Sequence, residues 1–174
     1  MTIAAFDVHY REDGKASAAA VCFHDFADAT YTKAYHHILP VPNRYVPGSF
    51  YRRELPCILA LLDRIDIPLK VLIVDGYVML DKRPGLGQHL FEACDGHCAV
   101  IGVAKSPFHR ARGAAVYHGG SRRPLYVTSA GVDLKGACQA IRRMHGAHRI
   151  PTLLRQVDRL ARQGVVQPPV TDEV

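Results

Sequence analysis

The sequence has no apolar run long enough to span a membrane, because charged residues break its longest hydrophobic stretches. Its N-terminal residues lack the basic start and the long apolar stretch of a secretory signal. Five cysteines, an odd number at irregular spacing, do not make a disulfide framework and suit a reducing compartment. We therefore expect an intracellular, cytoplasmic protein that does not bind membranes.

Motifs of several common functional classes are also missing. The histidines and the pair Cys94 and Cys98 form none of the ligand spacings of a zinc site. Gly85-Leu86-Gly87 lacks the third glycine of a dinucleotide-binding fingerprint. Ser106 and Ser129 have no recognisable His and Asp partners for a hydrolase triad. We expect ordinary structural roles for these histidines and cysteines.

The chain has the size and composition of one ordinary globular domain. It contains 174 residues, of which 48% are hydrophobic and 22% are charged. The sequence predicts a single domain over residues 1–164 and a flexible, Pro-rich tail over residues 165–174.

Charge is distributed unevenly along the chain. The segment from Lys105 to Arg162 contains twelve Lys or Arg and only two acids, whereas the rest contains ten bases and fourteen acids. A basic segment can neutralise phosphates while carboxylates elsewhere hold metal ions, which suits an enzyme that binds nucleic acid. A solvated, Arg-rich helical surface would have the same composition.

The first part of the chain predicts three strands. Residues 3–10 and 16–23 are β-prone and flank the turn signal Asp13-Gly14, so they predict a hairpin. Residues 29–38 predict a third strand, and residues 39–48, with three prolines, predict an ordered loop.

The remainder alternates between helical and strand patterns. Apolar residues at helical spacing predict a helix over residues 50–64, with Pro56 in its first turn and Glu54 at its N-terminal end. The nearly all-apolar run 69–74 predicts a strand that is buried on both faces. The other predicted elements are helices near 86–95, 134–145 and 152–163 and strands at 99–104, 113–118 and 124–128. This order predicts an α/β fold whose mixed sheet has three antiparallel strands, then parallel strands, and helices on its faces, as in the ribonuclease H-like fold.

Three acids fall where they could meet. Asp7 interrupts the first strand, Asp75 ends a buried strand, and Glu54 begins a helix packed against the sheet. If the two strands are neighbours, the three carboxylates can supply the hard oxygen ligands that Mg²⁺ requires, and such a site can cleave a phosphodiester. The alternative is a capping Asp at a strand end and a surface Glu on a helix.

Several short motifs occur in an order that is typical of one family. They are Asp7, Tyr45-Val46-Pro47-Gly48, Phe50-Tyr51-Arg52-Arg53-Glu54-Leu55-Pro56, Val74-Asp75-Gly76, Ile101-Gly102-Val103-Ala104-Lys105-Ser106 and Arg149-Ile150-Pro151. Over roughly residues 3–162 the chain resembles endonuclease V, a metal-dependent nuclease of DNA repair that acts on inosine-containing nucleic acid. No single motif is decisive, but the ordered set is specific.

The resemblance implies a Mg²⁺-dependent endonuclease that cuts 3′ to inosine, with Mn²⁺ as a substitute metal and inosine-containing DNA as the partner of a monomer. It implies that Asp7, Glu54 and Asp75 are catalytic and bind the metal, and that Lys105 neutralises charge at the scissile phosphate. The remaining implied site residues are a DNA wedge of Tyr45, Val46, Pro47 and Gly48, a base pocket at Gly76, and phosphate contacts from Arg83, Lys105 and Ser106.

Two departures from the family pattern leave alternatives open. Where the family has a second glycine and a His-Pro-Arg segment, this chain has Tyr77 to Pro84, with Asp81 in place of the histidine. The family's later Gly-His-Arg is also missing, and Asp133 lies near that point as a possible metal ligand or as the N-cap of a helix. The alternatives are therefore a nucleic-acid-binding protein with lost or altered catalysis, or a nuclease that acts on RNA.

Overall fold

A mixed sheet flanked by helices forms the frame of the protein. The computed structural model describes residues 1–41, 50–108, 111 and 113–164. The strands are β1 (Ile3–Tyr10), β2 (Lys15–Phe23), β3 (Lys33–Pro40), β4 (Val71–Asp75), β5 (Met79–Leu80), β6 (Arg83–Pro84), β7 (Ala99–Ala104), β8 (Ala114–Val116) and β9 (Leu125–Ala130). The helices are α1 (Tyr51–Leu62), α2 (Leu86–Ala93), α3 (Leu134–Arg143) and α4 (Thr152–Gln163). Among these residues, seven strands form the main sheet in the order β3-β2-β1-β4-β7-β9-β8.

The first three strands form the predicted antiparallel meander. β1 and β2 join through the turn at Asp13-Gly14, where Gly14 has a φ of +77° that favours glycine. The third strand begins at Lys33 and extends to Pro40, so it starts later than predicted and takes two residues from the predicted loop. Residues 42–49, which include the proposed wedge, lie outside the described residues.

The parallel part of the sheet is also as predicted. β4 lies between β1 and β7 and runs parallel to both. Because it is covered on both faces, Val71 to Val74 are all buried, and this explains their unbroken apolar character.

α1 begins at Tyr51, within one residue of the predicted start, and Glu54 lies in its first turn as predicted. The predicted place of Pro56 is wrong, because Pro56 lies in the second turn and not in the first. Pro56 has no backbone N–H, and the helix therefore loses one hydrogen bond at that point.

The sequence pattern did not predict the small β5–β6 hairpin, where Asp81 at its tip has a φ of +59°.

Helices cover both faces of the sheet. α1 and α2 pack on the face that contains Ala4, Phe6 and Leu72, and α3 and α4 pack on the face that contains Ile3 and Ile73. Within the described residues, no helix is long and apolar enough to cross a membrane.

Candidate active site at the carboxyl edge of the sheet

Asp7 and Asp75 lie side by side because their strands are parallel neighbours. The last paired residues of β1 and β4 are Phe6 and Val74, and each aspartate follows directly. Adjacent strands lie about 4.8 Å apart, so the register brings two carboxylates to one edge of the sheet. The structure thus has the strand adjacency on which the sequence argument depended.

Glu54 approaches the same edge from α1. Its side chain is almost fully buried, with 7% of the residue's surface exposed. Burial raises the pKa of Glu54 well above its usual value, and the nearby charges of Asp75 and Asp7 raise it further. A buried acid that is repelled by two others costs free energy unless it binds a proton or a cation.

Lys105 completes the group from the end of β7. Its Nζ donates a hydrogen bond to Asp75 Oδ2 over 2.8 Å. Partial burial lowers the pKa of Lys105, but the hydrogen bond and the charge of Asp75 outweigh this effect, and the pKa is raised. The ammonium group is therefore charged and lies beside the carboxylates.

These four side chains surround one cavity of about 620 Å³. Gly76 also lines it, and its φ of +131° is a conformation that other residues rarely adopt. The other lining residues are Val8, His9, Tyr10, Phe50, Tyr51, Tyr77, Leu80, Gly85, Leu86, Phe108, Asp158 and Arg162.

Asp158 is a fourth acid at the site, and the sequence analysis did not identify it. It reaches the cavity from α4 and accepts a hydrogen bond from Asp7 when Asp7 is protonated. Burial is the main cause that raises the pKa of Asp7 to about 7, and the charges of Asp75 and Asp158 add to it. Although partial burial raises the pKa of Asp158, its hydrogen bond and ion pair with Arg162 lower it.

Aromatic side chains form the walls above the acids. Phe50 and Phe108 are about half exposed, at 49% and 48%. Tyr51 stacks on His89 with ring centroids 3.9 Å apart, and Tyr10 lies under the Arg53 guanidinium at 4.1 Å. Exposed aromatic rings beside a phosphate-handling site can stack on nucleobases.

Other sequence-predicted site residues do not line the cavity. Asp133 caps α3 by accepting a hydrogen bond from the Gly136 N–H over 2.9 Å, which confirms the N-cap interpretation over the metal ligand. Arg83 lies exposed in the β5–β6 hairpin. Ser106 is exposed, and its carbonyl accepts a hydrogen bond from the Tyr77 hydroxyl.

The donor chemistry around the cavity fits a divalent cation. Glu54 is buried, and the charge of Asp75 raises the pKa of both Asp7 and Glu54, so a cation would relieve the repulsion among these groups. Among the described residues, however, no three His, Cys, Asp or Glu side chains form a preassembled metal site. Asp75 is paired with Lys105 instead.

The sequence is similar to proteins of one known family. The family model described as endonuclease V matches residues 1–116. Endonuclease V from Streptomyces avermitilis is 29% identical over 91% of this chain and 78% of its own length. The Nostoc punctiforme enzyme is 29% identical over 91% of this chain and 81% of its own.

Solved structures agree with the sequence matches. The Streptomyces avermitilis endonuclease V superposes with a TM-score of 0.79 at 28% identity, covering 94% of this chain and 81% of that one. Endonuclease V of Ciona intestinalis, in complex with a 24mer DNA containing an inosine followed by a ribo-adenosine, gives a TM-score of 0.81 at 16% identity. That superposition covers 94% of this chain and 84% of the Ciona chain, and at this identity it bears on the fold alone. The predicted ribonuclease H-like fold is confirmed.

Proposed function

The chain belongs to the endonuclease V family and is a nuclease, and from that premise we propose that it cuts inosine-containing nucleic acid on the 3′ side of the inosine, with Mg²⁺ as its cofactor. The observation that supports this proposal most is the convergence of Asp7, Glu54 and Asp75, from three separate elements, on one cavity beside Lys105.

Carboxylates are the ligands that Mg²⁺ takes from proteins, and Asp7, Glu54 and Asp75 would hold it. A divalent cation bound there would activate water and stabilise charge on the leaving oxygen of a phosphodiester. Arg162 would keep Asp158 beside Asp7 through their ion pair at 3.1 Å.

Lys105 would act on the phosphate. Its ammonium group lies beside the carboxylates and remains charged, so it can offset the negative charge that develops during cleavage. The proposed contacts of Arg83 and Ser106 with flanking phosphates remain predictions from the family resemblance.

The cavity has room for an extruded base. Gly76 has no side chain to keep a ring from the backbone, and the half-exposed Phe50 and Phe108 offer stacking surfaces. The wedge at Tyr45, Val46, Pro47 and Gly48 would separate the strands, but it lies outside the described residues.

The basic segment suits a polyanionic partner. Arg155, Arg159 and Arg162 are exposed on one side of α4, and Arg162 lines the cavity. Phosphates of the substrate strand would be neutralised there.

The five cysteines are all free, which supports the proposal that the protein works in the reducing cytoplasm.

A cleavage panel tests this proposal. The protein is incubated with strands that contain inosine, uracil, an abasic site or no modification, as DNA and as RNA, with Mg²⁺, with Mn²⁺ or with a chelator. We expect cuts only in inosine-containing strands, on the 3′ side, and only with a metal. Equal cutting of unmodified strands would contradict the inosine assignment, and cutting in the chelator would contradict the metal.

A second candidate function is inosine recognition without cleavage. The Lys105–Asp75 ion pair and the absence of a preassembled metal site among the described residues favour it. If the protein recognises inosine without cutting, the inosine-containing strand binds to it but yields no cleavage product with Mg²⁺ or with Mn²⁺. A third outcome, cutting of inosine-containing RNA but not DNA, would identify RNA as the substrate.

A further inference from the structure

The connection between α3 and α4, residues 144–151, crosses the ends of β7 and β9. Arg149 in this connection is half-buried, and its guanidinium donates from Nε and Nη2 to the Pro124 carbonyl over 3.2 and 2.7 Å. Nη2 also donates to the carbonyl of Lys105. One side chain therefore joins three segments that are distant in the sequence.

The two carbonyls lie just past the end of a strand ladder. The last pair between β7 and β9 is Ala104 with Tyr126, so Lys105 and Pro124 lie beyond the paired residues. The guanidinium takes the place of the missing backbone donors. Its planar fork can reach two carbonyls at once, whereas a lysine ammonium acts as a single point donor.

The backbone around Arg149 is itself held in place. His118, which is only 4% exposed, has Nδ1 2.6 Å from the His148 carbonyl and Nε2 2.7 Å from the Met144 carbonyl. A carbonyl oxygen only accepts, so a neutral ring satisfies one of these contacts at a time and the doubly protonated ring satisfies both. Thr152 adds a backbone hydrogen bond from its N–H to the His145 carbonyl over 2.8 Å.

We propose that Arg149 is a positioning residue for Lys105, an inference that rests on the proposed role of Lys105 at the phosphate. In the metal-free structure Asp75 holds the tip of the Lys105 side chain and Arg149 holds its main chain. When Asp75 binds the metal, the Arg149 contact would still hold Lys105 in place. Since α4 starts at Thr152, the same contact fixes Lys105 relative to Asp158.

Arg149 does not line the cavity, so its loss should slow cleavage without weakening binding. Displacement of a catalytic group by about 1 Å costs roughly 100-fold in rate. For Arg149→Met we therefore expect a single-turnover rate constant about 30- to 100-fold below wild type, with the dissociation constant for the inosine strand within about threefold. Arg149→Lys should restore less than about a tenth of the rate that Arg149→Met loses, because one ammonium does not bridge both carbonyls.

The test is a double-mutant cycle with Lys105→Ala, with Arg64→Met as the matched control. Arg64 is exposed just past the C-terminal end of α1. It is therefore at the opposite end of this helix from Glu54, which lies in the first turn and lines the cavity. If Arg149 acts through Lys105, Arg149→Met slows the wild type strongly but slows Lys105→Ala less than about threefold. An equal loss in both backgrounds, or no loss in either, would overturn the proposal. Full activity of Lys105→Ala would instead overturn the role proposed for Lys105.

A readout that does not depend on activity keeps the inference testable if the wild type does not cleave or a variant is unstable. Protein labelled at lysine Cε with ¹³C gives one signal per lysine, and Lys105→Arg identifies the signal of Lys105. We expect this signal to move in Arg149→Met and Arg149→Lys and to stay in place in Arg64→Met, at temperatures where all variants are folded. An unmoved signal in both Arg149 variants would contradict the positioning role.

Discussion

Replacing Asp75 by Asn is expected to abolish cleavage while leaving nucleic-acid binding intact. The side chain keeps its size but loses its charge, so the cavity loses one of the three carboxylates proposed to bind the metal. Because a cation site with one carboxylate fewer holds its ion poorly, we expect a loss of at least about 10³-fold in the single-turnover rate, or about 4 kcal/mol. Binding of the inosine strand, measured by fluorescence anisotropy, should not weaken, since the change removes a negative charge from a surface that meets phosphates.

Asp63→Asn is the matched control. Asp63 is an exposed acid at the end of α1 and does not line the cavity, so its replacement makes the same chemical change elsewhere. Wild-type rates are expected for this control. Cleavage by Asp75→Asn at the rate of Asp63→Asn would contradict the assignment of Asp75 as a metal ligand.

In the absence of a divalent cation, the free energy of unfolding is expected to fall as the pH rises from about 4 to about 7. Folding raises the pKa of Asp7 from its ordinary 3.8 to about 7, chiefly through burial and then through the charge of Asp75. Between these values the unfolded chain releases a proton that the folded protein retains, so rising pH favours unfolding. The expected slope is about 1.4 kcal/mol per pH unit from this one group. Glu54, whose pKa is also raised, adds a decrease in the same direction.

Asp7→Asn should have opposite effects on stability and on activity. The metal-free variant should lose the part of this pH dependence that comes from Asp7 and gain about 4 kcal/mol at pH 8, while its cleavage is abolished. Urea unfolding at pH 4, 6 and 8 in a chelator measures the first effect, and the cleavage assay measures the second. If the metal-free wild type is as stable at pH 8 as at pH 4, burial and mutual repulsion do not raise the pKa of Asp7 and Glu54, and the prediction is contradicted.

The positions of Asp7 and Asp75 could be predicted because strand patterns are local. An unbroken apolar run indicates a strand buried on both faces, and such a strand lies inside a parallel sheet. Once β1 and β4 are neighbours, the side-chain alternation and the strand ends place both acids at one edge. Glu54 followed from the helical spacing of the residues after it, although Pro56 lies in the second turn and not in the first.

Asp158 could not be found in this way. It lies within an amphipathic, basic helix, where an acid four residues before Arg162 is also typical of an ordinary surface ion pair. Only the packing of α4 across β1 brings it to Asp7, and that contact joins residues 151 positions apart in the sequence. An isolated acid in a strongly basic segment was the one available signal.

The role proposed for Arg149 could not be predicted from the sequence for a related reason. Its partners are backbone carbonyls of Lys105 and Pro124, and a carbonyl leaves no trace in the amino-acid sequence. The family resemblance marked Arg149-Ile150-Pro151 as a motif, but residue types alone do not say which strand ends the guanidinium joins.

The most direct test of the account is a crystal structure of the protein soaked in Mn²⁺, with anomalous scattering used to locate the ion. Mn²⁺ takes the same oxygen ligands as Mg²⁺ and is visible by its scattering. We expect a peak in the cavity about 2.1 Å from oxygens of Asp7, Glu54 and Asp75, with Lys105 released from Asp75. A cavity without an anomalous peak at saturating Mn²⁺, with Lys105 still paired to Asp75, would contradict the proposal that these acids bind a catalytic metal.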